Sequence, residues 1–226
     1  MAPRAPEEIA RPRRSSYVVV RPLDFTVRHR QDMRYLRTVT LVGALALPVV
    51  PALAIELHDY TAVRLHRGIN DVDLGVTGQH ATVVVGHRAN WNAHSFDVTT
   101  IYLSGGSPAT GLDIIGVWDD QKESLYLTTS GGADCLLHDF RLLRSVRGAP
   151  AAVVVADRQL RESFAEDSPV TFKFYVLMHN DIGLPGEPTY WFKLVETRNA
   201  KSAYCDVGAA LFRELGLANY SVWSGP

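Results

Sequence analysis

The sequence predicts a mainly β protein of the α+β class, built from two similar β-rich halves and ending in one helix. Three observations lead there. Short runs of β-branched and aromatic residues, bounded by Gly, Pro and Ser turns, recur between residues 82 and 195. A clear helical period occurs only near the C-terminus. Valine-rich and cysteine landmarks of the first half return about 70 residues later.

Taken in order, the first run is 82–85 (TVVV), β-branched and flanked by polar residues. The run 98–103 reads as a strand that stops at the Ser-Gly-Gly-Ser-Pro turn of 104–108. Residues 114–118 and 125–129 follow, the second closed by Ser130, Gly131 and Gly132. Residues 136–144 fit either a helical face or a hairpin strand, and the Arg-Gly-Ala-Pro turn at 147–150 favours the hairpin. Residues 152–155, 170–177 and 190–195 are further strands, with turn chemistry at 183–186 between the last two. Asp206 is placed to cap a helix with Val207, Ala210, Leu211 and Leu215 on one face, and Gly216 to end it. Trp118, Tyr126, Phe172, Phe174 and Trp191 are expected in the core.

The repeat pairs Val83, Val84 and Val85 with Val153, Val154 and Val155, Tyr102 with Tyr175, and Cys135 with Cys205. It predicts an internal duplication with halves at about 61–135 and 136–217, and a ligand cleft between them.

The N-terminal segment, residues 1–54, differs from the rest. It holds nine arginines and four acids, and within it a short basic stretch after Met33 leads into an apolar run ending Ala52, Leu53, Ala54. That is the plan of a secretory signal peptide over 33–54. Residues 1–32 are then a mis-assigned start extension, a long n-region or a membrane anchor being the alternatives. The apolar run is short and holds Pro48 and Pro51, so no stable membrane span is expected once it is cleaved. The expected location is the periplasm.

The 226-residue chain has 46% hydrophobic residues and a formal net charge of −1, which excludes disorder and a global field for nucleic acid. Removing the leader's nine basic and four acidic residues from the totals of 23 and 24 leaves 14 and 20, a net charge of −6 over 55–226. Two cysteines exclude a disulfide-dense miniprotein and a four-cysteine zinc site. In an oxidising compartment an even pair predicts a Cys135–Cys205 disulfide.

Three polar stretches carry candidate chemistry. Residues 73–81 have the outline of a calcium loop, but Gly75, Thr77 and Ala81 stand where oxygen ligands belong, which favours a plain turn. Residues 86–97 join two strands and gather His87, Arg88, Asn90, Trp91, Asn92, His94 and Asp97. They suit a ligand or partner loop built around Trp91, or a loop in which Asn90, Asn92 and Ser95 bond to one another. His87, His94 and Asp97 are also the set of a two-histidine, one-carboxylate metal site, although no metal-binding spacing demands it. In residues 128–141, Ser130, His138 and Asp139 supply the residue types of a hydrolase triad. Adjacent His138 and Asp139 would point apart on a strand, so a turn, a disulfide anchor and a structural Asp139–arginine pair are expected instead. Ser130 and Asp134 are the candidate binding residues of that turn.

The stretches 87–98 (HRANWNAHSFDV) and 129–141 (TSGGADCLLHDFR), with Tyr204, Cys205, Asp206 and Val207, resemble carbapenem intrinsic-resistance proteins of the CarG type. The resemblance spans about 63–217. It implies a periplasmic protein that protects the cell without hydrolysing the antibiotic, and it carries over no catalytic residue. The expected function is therefore a non-catalytic periplasmic protein, without cofactor, that binds a small molecule such as a β-lactam or a cell-wall protein. A metal-dependent hydrolase and a structural envelope domain are the alternatives.

Overall fold

Alternation of apolar and polar side chains organises the sheets. The computed structural model describes residues 55–74, 80–104, 111–119 and 122–218. The leader, the turn at 105–110 and positions 75–79 of the calcium-loop outline lie outside them. Among the described residues twelve strands precede one α-helix: β1 (Tyr60–Ala62), β2 (Gly68–Asp73), β3 (His80–Arg88), β4 (Phe96–Ser104), β5 (Leu112–Ile115), β6 (Val117–Asp119), β7 (Lys122–Ser124), β8 (Leu127–Gly131), β9 (Leu136–Ser145), β10 (Ala152–Arg158), β11 (Ser168–His179), β12 (Tyr190–Tyr204) and α1 (Val207–Leu215).

A first antiparallel sheet runs β2-β3-β4, with β5 and β8 sharing the far edge of β4. A second runs β9-β10-β11-β12 and continues through β6, parallel to β12, to β7. The sheets join at two places. Strand β8 pairs with β4 through Leu127–Thr129 and with β9 through Ser130 and Gly131. Gly116 alone separates β5, on the first sheet, from β6, on the second.

The larger core packs Val83, Val85, Ile101 and Leu103 of the first sheet with Leu142, Val153, Leu177 and Phe192 of the second. The other face of the second sheet packs Val154, Phe172 and Phe174 on Val207, Ala210 and Leu211 of α1. The layers are thus sheet, sheet and helix. The two valine runs therefore differ in environment. In β3 only Ala81, Val83 and Val85 are buried, whereas β10 is buried from Ala152 through Ala156 because both of its faces are covered.

The helix behaves as its sequence dictates. The Asp206 carboxylate accepts from the Ala209 N–H at 2.8 Å, and Gly216 ends the helix at φ 68°. The 136–144 segment is the hairpin strand β9, paired along its length with β10. Three expectations need correction. Residues 114–118 are two strands, because the chain passes at Gly116 from pairing with β4 to pairing with β12. Strand β8 starts at Leu127, leaving Leu125 and Tyr126 exposed, so Tyr126 is not core. The two halves are not separate bodies; their facing sheets share one core. Strands β1, β2 and β7 had no clear signal, being short or acid-rich.

Candidate functional site

Cys135 and Cys205 form the expected disulfide, with Cα atoms 5.6 Å apart. It ties the β8–β9 turn to the start of α1. The turn needs its glycines for close approach: a side chain at Gly131 would strike the Cys135 carbonyl, and one at Gly132 would strike the Phe164 ring. Phe164 completes the junction. Its ring lies 4.6 Å from that of His94, and its carbonyl accepts from Arg158 at 2.7 Å.

The 89–95 loop meets this junction. His94 Nδ1 lies 3.1 Å from the Gly131 carbonyl oxygen. The loop also binds itself: the Asn90 side chain donates to the His94 carbonyl at 2.8 Å, the Asn90 N–H donates to Ser95 Oγ at 3.1 Å, and Asn92 Oδ1 accepts from the His94 N–H at 2.9 Å. The loop is therefore firmly held, yet Trp91 at its tip is 98% exposed. Trp91 has φ 55°, the left-handed region that a bulky side chain rarely occupies.

The other candidate residues divide. His87 Nδ1 lies 2.6 Å from Asp97 Oδ1, and Arg67 Nε is 3.2 Å from the same oxygen. Asp97 is 1% exposed, so this carboxylate is taken up by an imidazole and a guanidinium at the base of the hairpin. His94 belongs to the Gly131 contact instead, and the three residues of the alternative metal set are not brought together as one set. Among the described residues no group of three or more His, Cys, Asp or Glu side chains is placed to hold a metal. Arg88 lies over the Phe96 ring at 5.8 Å. Ser130 sits opposite His138 in the β8–β9 register, and Asp134 is exposed on the turn.

Ser130, His138 and Asp139 form no triad. His138 bonds to Asp157, while Asp139 faces the other way. Asp139 accepts from Arg141 at 2.6 Å and from the Thr129 hydroxyl at 3.0 Å. Both charges are buried. Burial pushes the Asp139 carboxyl up, against the opposing pull of Arg141. This is the structural arginine pair that the strand alternation predicted. Sequence reasoning missed Arg67 and Phe164. Phe164 did leave a signal, as the lone aromatic in the polar stretch 157–169, whereas nothing in the spacing linked Arg67 to Asp97.

The family model described as "Carbapenem resistance protein CarG-like" matches residues 65–213, more than half of the chain. The chain belongs to the CarG-like family. A solved structure described as the crystal structure of CarG superposes on this CarG-like protein with a TM-score of 0.57 and 23% identity. The match covers 70% of this chain and 99% of that one. At that identity the likeness shows a shared fold. A search of curated proteins returned no match. The matched span holds the 89–95 loop, the disulfide and most of α1, and leaves the leader outside.

Proposed function

We propose that this CarG-like protein is a non-catalytic periplasmic factor that protects the cell against carbapenems, and that the Trp91 loop is its contact surface for a cell-wall partner. One observation carries the reading: a fully exposed tryptophan at strained φ on a loop fixed at both ends. Exposing an indole forgoes hydrophobic stabilisation, and strained backbone gathers where function requires it. Tryptophans are also the residues that most often anchor protein interfaces. The disulfide and the signal-like leader support an exported protein. The membership in a family described by carbapenem resistance supports the role.

An origin by duplication of a four-stranded unit fits this reading. Strands β2-β3-β4-β8 and β9-β10-β11-β12 follow the same order, β12 ending next to Cys205 and β8 ending at Gly131 in the turn that carries Cys135.

Two measurements test the function together. Purified protein incubated with a carbapenem should leave the decay of its ultraviolet absorbance at the buffer rate, and accelerated decay would make it a hydrolase. Deleting the gene should lower carbapenem tolerance of the host; unchanged tolerance would leave only a structural envelope role.

A further inference from the structure

The inner face of the second sheet changes character at one end. On β9 the core-facing positions read Leu142, Phe140, His138; on β10, Val153, Val155, Asp157; on β11, Leu177, Tyr175, Lys173. β9 and β10 therefore turn from apolar to polar at the His138–Asp157 pair, and β11 turns one rung earlier, at Lys173 opposite Val155, on a face that alternation reserves for the core. The β6–β7 hairpin and β8 flank this end and enclose a cavity of about 290 Å³. That is near the lower end of small-ligand pockets, with an apolar floor and a few convergent polar groups.

The polar groups fall into two sets. Lys173 Nζ donates to Asp119 Oδ2 at 2.7 Å, which engages one of three ammonium protons. Tyr175, 6% exposed and lining the same cavity, has a phenol with no hydrogen-bond partner among the described residues. That hydroxyl opens onto the cavity rather than being sealed in the core. Burial and the charges of Asp119 and Asp157 push its ionisation up, so the phenol remains a donor. Across the floor, His138 Nδ1 bonds to Asp157. An ionised carboxylate can only accept, so Nδ1 donates to Asp157 in this bond.

We propose that this end of the sandwich binds a small carboxylate that also carries a hydroxyl or N–H donor, the carboxylate at Lys173 and Tyr175 and the donor at His138 and Asp157. The ammonium groups of Lys122 and Lys173 balance the carboxylates of Asp119 and Asp157 around the cavity, so a bare anion gains less than an anion with an adjacent donor. Both a carbapenem, with its carboxylate and hydroxyethyl group, and a peptide C-terminus meet that description. None of these residues belongs to the 87–97 loop, and binding in solution is read independently of resistance in cells.

Titration calorimetry on the purified protein tests the site with two probes, imipenem and the dipeptide D-alanyl-D-alanine. One or both should bind saturably. Tyr175→Phe and Lys173→Met should each weaken the binding by about tenfold, and amidating the dipeptide's carboxylate should do the same. The probe that binds identifies the source as a β-lactam or a peptide terminus. Tyr175→Phe removes only an unpartnered hydroxyl and should fold with an unchanged or raised Tm, so it decides the matter even where Lys173→Met does not fold. Absence of saturable heat up to ~10 mM of both probes, or unchanged affinity in Tyr175→Phe, would overturn the site.

Discussion

Asp206 Oδ2 accepts from the Leu136 N–H at 2.9 Å, across 70 positions of sequence, while Oδ1 caps α1 at Ala209. One carboxylate therefore joins the start of β9 to the start of the helix, beside the disulfide that joins the preceding residues.

Replacing that carboxylate should act on both ends at once. Asp206→Ala removes a helix cap, worth about 1 kcal/mol, and leaves the Leu136 N–H without its partner, for a total loss of about 2–3 kcal/mol. Asp206→Asn keeps an acceptor and should lose less than half as much. Urea denaturation of the three proteins checks both figures.

The disulfide closes a loop of 70 residues. In the chain-entropy picture such a loop stabilises the fold by about 4 kcal/mol. Mass spectrometry of the exported protein should find Cys135 linked to Cys205 with no alkylatable thiol. The double variant Cys135→Ser, Cys205→Ser should unfold at markedly lower denaturant, and an unchanged midpoint would refute the contribution.

Acid should weaken the outer face of β12. The hydrogen bond from Arg198 holds the Glu196 carboxyl below the usual carboxylate range, against partial burial. Arg198 also lies over the Phe174 ring at 4.5 Å and donates to the Ile55 carbonyl. Because the folded pKa is depressed, the folded state binds fewer protons than the unfolded chain. The stabilisation is present above the ordinary carboxylate range and is lost as pH falls from that range through the lower folded value. Carboxyl NMR should show Glu196 titrating lower than exposed glutamates. Stability of Glu196→Gln should depend less on acid pH than that of the parent protein; equal slopes would remove this assignment.

The sequence shows the scaffold well and the sites unevenly. The valine runs, the 98–103 and 170–177 strands, Asp206 and Gly216 announce themselves because backbone preference and burial agree there. Strand β2 does not, since only Asn70 and Val72 of its six residues are buried and its acids mask the alternation. The 87–97 loop stands out as a polar stretch between two strands. The partnership of Asp97 with Arg67 does not, because it depends on how β2 and β4 lie across β3. Lys173 went unmarked for a different reason. Inside the aromatic run of β11 it reads as an ordinary solvent-facing residue until β9 and β10 place His138 and Asp157 on the same face.

Trp91 separates folding from function. Nothing packs on its side chain, so Trp91→Ala should change stability by less than about 0.5 kcal/mol. Trp91→Gly should equal or exceed the parent, since glycine accepts φ 55° without strain. Thermal denaturation of the two variants checks this before any cellular experiment.

The most direct measurement is carbapenem susceptibility of a gene-deletion host complemented with the parent protein or with Trp91→Ala, both exported at equal levels. The account predicts that the parent restores tolerance and that Trp91→Ala does not, while neither purified protein speeds carbapenem decay. Full restoration by Trp91→Ala would contradict it.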